Sequence, residues 1–167
     1  MCYSPPNLRL PSLLCANLDN SREADMSRVR DIVHSRELFR VTEHETVADV
    51  VRQMAEYQVG AILVLDGEAL RGVFSERDLM KRVVLARLDP ERAIVRDVMS
   101  TALATIDELA TLEEAMEAMQ SNNCRHLPVM RANHVVGFLS MRDLMNYELA
   151  RKTEELHHMR AYVAGSA

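Results

Sequence analysis

The residues able to do chemistry gather in two short stretches. The first is Gly72-Val73-Phe74-Ser75-Glu76-Arg77-Asp78-Leu79-Met80, and the second is Gly137-Phe138-Leu139-Ser140-Met141-Arg142-Asp143-Leu144-Met145. Six of the nine positions are identical at a constant offset of 65 residues, so the two stretches read as copies of one device. Each is a short apolar strand running into a helix, with Ser at the N-cap and Asp three residues on.

Such a helix start can hold an anion. Its first N–H groups lack partners within the helix and its dipole is positive there, which attracts phosphate. Ser75 or Ser140 adds a hydroxyl donor, and Arg77 or Arg142 in the first turn can pair with phosphate oxygens. Asp78 and Asp143 are acceptors suited to the two hydroxyls of a ribose. The glycine lets backbone approach closely. A purely structural reading competes with this one: Ser-x-x-Asp is also a capping box, in which the two side chains satisfy the helix's own N–H groups. The doubling of the arginine, as Arg77 and Arg142, favours a ligand site.

The elements that position these stretches repeat as well. Thr46 opens a helix with the apolar stripe Val47, Val50, Val51 and Met54 and an acid, Asp49, at the third position. Thr111 opens its copy, with Leu112, Ala115, Met116 and Met119 and the acid Glu114. Ala61–Leu65 is an apolar strand bounded by the turn pair Asp66-Gly67, and Leu127–Met130 is its partner, with a turn near Ala132-Asn133. Leu70–Phe74 and Val135–Leu139 then lead into the Ser-x-x-Asp motifs. With short strands at Phe39–Thr42 and Leu103–Ile106, each unit reads strand, helix, strand, strand, helix. Val29-Arg30-Asp31-Ile32 recurs as Val95-Arg96-Asp97-Val98 ahead of the second unit. A unit of roughly 60 residues barely buries its own apolar face, so the pair is expected to pack sheet to sheet as one pseudo-twofold α+β domain.

The organisation expected is an irregular tail at 1–26, a first repeat at 27–88, a second at 89–148, and a C-terminal helix and tail at 149–167. Prolines 5, 6 and 11 break any period in the first segment. In the last, Leu149, Leu156 and Val163 fall seven apart, which predicts a short helix that packs on its own domain or on a second copy.

Composition narrows the function classes. The chain has 167 residues, 48% hydrophobic and 27% charged, which is a globular balance. A net charge of −5 argues against a broad nucleic-acid or anionic-membrane footprint, and no apolar run has the length of a membrane span. The three cysteines, Cys2, Cys15 and Cys124, form no CxxC pair, so a disulfide framework is not expected and a reducing cytoplasm fits. Cys124, His126 and His134 match no standard zinc spacing, and Cys124 aligns with Val59 as a small buried hydrophobe, so no metal site is expected. No nucleophile elbow or P-loop is present, and no catalytic residue is expected.

The doubled Gly-apolar-apolar-Ser-x-x-Asp, Arg125-His126-Leu127-Pro128-Val129 in the second strand position and the Val95–Ser100 lead-in resemble the cystathionine beta-synthase (CBS) domain in tandem, called a Bateman module. The resemblance covers residues 27–148. It implies a regulatory module, not catalytic in itself, that binds an adenine-containing ligand such as AMP, ADP, ATP, NAD or S-adenosylmethionine between the repeats and signals to an effector protein. In the family's arrangement Arg125 and His126 would serve the Asp78 site, while Thr42, Gly60 and Ala61 would line the Asp143 site. The resemblance also implies a homodimer formed through the helices after each motif, which here carry Leu79, Val83, Leu144 and Leu149. Two departures stand out. Glu43 and Asp107 replace a proline common after the first strand, and Gly60-Ala61-Ile62 stands where the second repeat has Arg125-His126-Leu127. The two sites are therefore not equivalent. The alternative function is a structural or protein-interaction module that keeps the fold without a ligand.

Overall fold

The computed structural model of the chain describes residues 27–33 and 37–165. The tail expected at 1–26 lies outside them. The elements are α1 (Val29–Val33), β1 (Arg40–Thr42), α2 (Val47–Tyr57), β2 (Ala61–Asp66), β3 (Ala69–Ser75), α3 (Glu76–Asp78, continuing as a π-helical turn Leu79–Val84), α4 (Val95–Val98), β4 (Ile106–Asp107), α5 (Leu112–Ser121), β5 (His126–Arg131), β6 (His134–Ser140) and α6 (Met141–Gly165). The fold is α+β, with two three-stranded sheets ordered β1-β2-β3 and β4-β5-β6. In each sheet the first pair is parallel and the second is an antiparallel hairpin.

Local chemistry explains why the same elements form twice. Thr46 caps α2 by accepting from the Asp49 N–H at 3.2 Å. Thr111 and Glu114 make a reciprocal capping box on α5. Both helices end in a left-handed residue, Gln58 (φ 55°) and Asn123 (φ 49°), which turns the chain into the next strand. The hairpins turn at Gly67 (φ 60°) and at Ala132 (φ 52°), so the second uses a residue ill suited to that region.

The repeats are not self-contained. The leading helix α1 inserts into the second repeat, where Val29, Ile32 and Val33 join a core with Leu112, Ala115, Met119, Leu127, Leu139 and Leu144. Its Val29 and Arg30 N–H groups donate to the carbonyls of Ala110 and Glu108 at 3.0 and 2.9 Å. Conversely α4 enters the first repeat, and Val95, Val98 and Met99 pack with Val47, Val50, Met54, Ile62 and Phe74. The motif glycines make room for this exchange. A Cβ on Gly72 would sit 2.9 Å from Ser100 O, and one on Gly137 would sit 2.7 Å from Val33 Cβ. The close backbone approach expected at these glycines is thus made by the other repeat's lead-in segment. A third apolar cluster holds the sheets together: Ala61, Leu63 and Val73 against Leu103, Val135 and Phe138.

Beyond the second motif the structure departs from expectation. The chain continues as one helix of 25 residues rather than a motif helix followed by a separate tail helix. No glycine or proline interrupts residues 141–164, so nothing ends it sooner. Of the four apolar residues expected on the surface, Val83 and Leu144 are fully buried in the two cores and Leu79 is half-buried. Exposed at matching positions are Met80 (54%), Val84 (61%), Met145 (62%) and Leu149 (68%), two from each repeat, and Leu85, Leu156 and Met159 are exposed as well. No helix among the described residues is long and apolar enough to cross a membrane.

Candidate functional site

Both Ser-x-x-Asp motifs stand where a hairpin's second strand turns into a helix. In the first, the Ser75 N–H and hydroxyl donate to Asp78 Oδ2 at 3.1 and 2.6 Å, and the Asp78 N–H donates to Ser75 Oγ at 3.3 Å. In the second, the Ser140 N–H and hydroxyl donate to Asp143 Oδ2 at 3.2 and 2.6 Å, and the Asp143 N–H returns to Ser140 Oγ at 3.2 Å. Both are capping boxes, and both carboxylates are buried, so the structural role of Ser-x-x-Asp is present in each copy.

The first aspartate has further partners. Its Oδ1 accepts from the Ser100 hydroxyl at 3.0 Å and lies 3.5 Å from Arg82 Nε. Arg82 in turn donates to the carbonyls of Val98 and Met99. Asp78 therefore fastens the π-helical turn and the lead-in to the second repeat onto the first repeat. Ser100 and Arg82 were not among the residues expected at the site. Their role depends on the exchange of lead-in helices, which no local pattern announces.

The remaining expected residues divide by sheet register. Ala61 pairs with Ser75, and the Glu76 N–H donates to the Gly60 carbonyl at 3.1 Å. His126 pairs with Ser140, and the Met141 N–H donates to the Arg125 carbonyl at 2.9 Å. Gly60 and Ala61 thus stand beside the Asp78 motif, while Arg125 and His126 stand beside the Asp143 motif. These neighbours lie within each hairpin, where antiparallel pairing sets the start of the first strand against the end of the second; the expected assignment concerns the partner across the cleft between the repeats. Thr42 is remote from the first motif along its own sheet. The parallel register of β1 aligns it with Leu65, four residues along β2 from Ala61 and about 13 Å away at the usual strand rise. Its N–H and hydroxyl both donate to Glu45 Oε1, at 2.7 and 3.1 Å.

One bridge between the repeats is made by arginine. Arg77, from the first motif, donates to the carbonyl of Asn123 at 3.0 Å, just ahead of β5. Arg77 and Arg125 thereby line one concavity of about 290 Å3 together with Met119, Gln120, Asn123, Cys124 and Met141. That volume is at the lower edge of small-molecule sites, roughly 300–1,000 Å3. Two guanidinium groups at one opening suit a phosphate. Arg142 is exposed in the first turn of α6.

His126 follows Arg125 in the chain and is half-buried. Its ring stacks on Phe138, with centroids 5.4 Å apart and 28° between planes. Burial holds its pKa below the ordinary histidine value; the charges of Asp143 and Glu76 oppose this and those of Arg125 and Arg142 reinforce it. Burial also pushes the Cys124 thiol up, which disfavours the thiolate, and Cys124 packs against the second core. Among the described residues no group of three or more His, Cys, Asp or Glu side chains could hold a metal ion.

Two interlocked sheet-and-helix units with paired Ser-x-x-Asp motifs define a tandem-repeat class, and comparison with known proteins identifies it. The family model of the CBS domain matches residues 29–85 and 95–150. The chain belongs to the CBS-domain family and carries a tandem pair of these domains, which are generally regulatory modules. A mitochondrial CBS domain-containing protein of Arabidopsis thaliana, CBSX3, is 26% identical over 93% of this chain and 84% of its own length. A solved CBS-domain protein from Burkholderia ambifaria is 29% identical, covers 74% of this chain and 95% of its own, and superposes with a TM-score of 0.71. A CBS-domain protein from Pyrobaculum aerophilum, solved in complex with AMP, is 26% identical over 70% of this chain and 89% of its own, with a TM-score of 0.65.

Proposed function

We propose that the chain is a regulatory module that binds an adenine nucleotide between its repeats and signals its level to an effector protein. The observation that carries this reading is the meeting of Arg77 and Arg125, from different repeats, at one concavity. The similarity to a CBS protein that binds AMP supports the ligand class. AMP, ADP, ATP, NAD and S-adenosylmethionine are the candidates, as a regulatory ligand and not a cofactor. The mechanism is a population shift: the ligand binds one arrangement of the repeats more tightly, and the effector reads that arrangement. The reading includes no catalytic residue, no nucleic acid and no membrane, and it places the protein in the cytoplasm.

In this reading Asp78 or Asp143 accepts the ribose hydroxyls and Ser75 or Ser140 stands by the phosphate, with Arg125 and His126 across the cleft from the Asp78 motif and Thr42, Gly60 and Ala61 across from the Asp143 motif, where Arg142 also lies. Pairing into a homodimer is supported by Met80, Val84, Met145 and Leu149, which are exposed at pseudo-twofold positions and suit an isologous contact. The second reading, a ligand-free interaction module, is favoured by the completeness of both capping boxes.

Thermal-shift and native mass-spectrometric titration with the five ligands separates the two. Binding of at least one, weakened about five- to hundredfold by Asp78→Ala or Asp143→Ala, supports the sensor. No binding by the wild-type chain leaves the interaction module.

A further inference from the structure

The two pseudo-equivalent positions beside the motifs carry different charges. The concavity is bounded by Arg77, Asn123, Cys124, Arg125 and Met141. Displaced by 65 residues, the matching set is Arg142, Gln58, Val59, Gly60 and Glu76. The backbones correspond closely. Asn123 and Gln58 both have positive φ, and the N–H groups of Met141 and Glu76 donate to the carbonyls of Arg125 and Gly60 at 2.9 and 3.1 Å. The side chains do not correspond. The first set has two arginines and no acid; the second has one arginine and one carboxylate.

Gly60 and Glu76 act together. A Cβ placed on Gly60 would lie 3.3 Å from Glu76 Oε2, so the carboxylate folds over the glycine. An acid stands there where the other position presents a guanidinium. Resting on the nucleotide-binding reading above, we infer that only the position over Arg125 accepts a phosphate-bearing ligand, and that Gly60 and Glu76 close its counterpart to anions. At the open position, guanidinium groups from both repeats can hold one phosphate, which ties occupancy to the relation between the repeats. At the closed position, phosphate meets a carboxylate of like charge.

The test is calorimetric titration and native mass spectrometry of the full chain with AMP, and with adenosine as the probe without phosphate. Wild type takes one AMP per chain. Arg125→Ala weakens AMP roughly ten- to hundredfold and leaves adenosine little changed. The double variant Gly60→Arg, Glu76→Met copies the open position onto the closed one and takes a second AMP; Glu76→Gln alone is the milder form, weakly binding a second AMP. Melting without ligand verifies that each variant folds. Two AMP per wild-type chain with similar affinity overturns the assignment while the nucleotide reading stands. So does one AMP indifferent to Arg125→Ala, a double variant that folds and still takes one AMP, or binding of S-adenosylmethionine alone. No binding of AMP, ATP, NAD or S-adenosylmethionine overturns both.

Discussion

The hydroxyl of Ser100 donates to Asp78 Oδ1 at 3.0 Å, joining the lead-in to the second repeat to the capping box of the first. Residues 22 positions apart are thereby fixed through the carboxylate oxygen that the cap leaves over. The bond is partly buried and its acceptor is charged, so its loss costs about 1–3 kcal/mol. Ser100→Ala should lower the melting temperature by several degrees, at about 2–4 °C per kcal/mol for a chain of this size. A double-mutant cycle with Asp78→Asn should give a coupling of about 0.5–3 kcal/mol. Additive losses would show that the two residues do not interact.

A second prediction concerns the exchange of lead-in helices. Gly137 lies directly under Val33, and an added Cβ would come 2.7 Å from Val33 Cβ. Neither backbone can yield easily, because Val33 is buried in the second core. Gly137→Ala should therefore cost about 1–3 kcal/mol, the usual range for overpacking. Hydrogen exchange should localise the damage to α1. Protection of α1 equal to wild type would mean that the contact is slack.

Much of this fold is legible in the sequence because it is written twice. Thr46 and Thr111 announce α2 and α5, and Asp66-Gly67 announces the first hairpin, since each signal is local chemistry read against a matching copy. What stays hidden is pairing at a distance. The apolar pattern of Val29 and Val95 shows that both are buried but not that each lies in the other repeat's core. The register that sets Thr42 opposite Leu65 is hidden for the same reason, since the register of a parallel strand is set by its neighbour and not by its own residues. At the site, the Ser-x-x-Asp pairs are legible as strings. The meeting of Arg77 and Arg125 spans the two repeats, so no local pattern shows it, and it enters only through the family resemblance that sets Arg125 against the Asp78 motif.

The two hairpins offer a third test. Gly67 and Ala132 occupy the same turn position with φ of 60° and 52°, a region that costs a residue with a Cβ about 1–2 kcal/mol. Ala132→Gly relieves that strain but frees the unfolded chain by about 0.4–1 kcal/mol. The difference predicts a net gain of up to about 1.6 kcal/mol, and the converse change, Gly67→Ala, predicts a loss. No Cβ contact opposes the latter, because nothing lies within 4 Å of the added atom, so backbone conformation alone is tested. A neutral result for both would show that the turns relax.

The last prediction follows from His126, which joins the site to stability through pH. Burial lowers its folded-state pKa, while Asp143 and Glu76 only partly offset the effect and Arg125 and Arg142 add to it. The unfolded chain titrates near the ordinary histidine value of about 6.5. As pH falls through that value the unfolded state takes up the proton first, and stability falls wherever the unfolded state binds more protons. The contribution is therefore complete above about pH 7.5, declines as pH falls below about 6.5, and levels off below the folded-state pKa. His126→Phe removes the titration and keeps an aromatic ring to stack on Phe138. Every other group is common to both proteins, so the comparison isolates His126 and its charged neighbours. Between pH 7.5 and 5.5 the wild-type melting temperature should fall more steeply than that of the variant, and the two curves should run parallel above that range. Parallel curves throughout would show that His126 is solvated in the folded protein and that burial does not govern its proton.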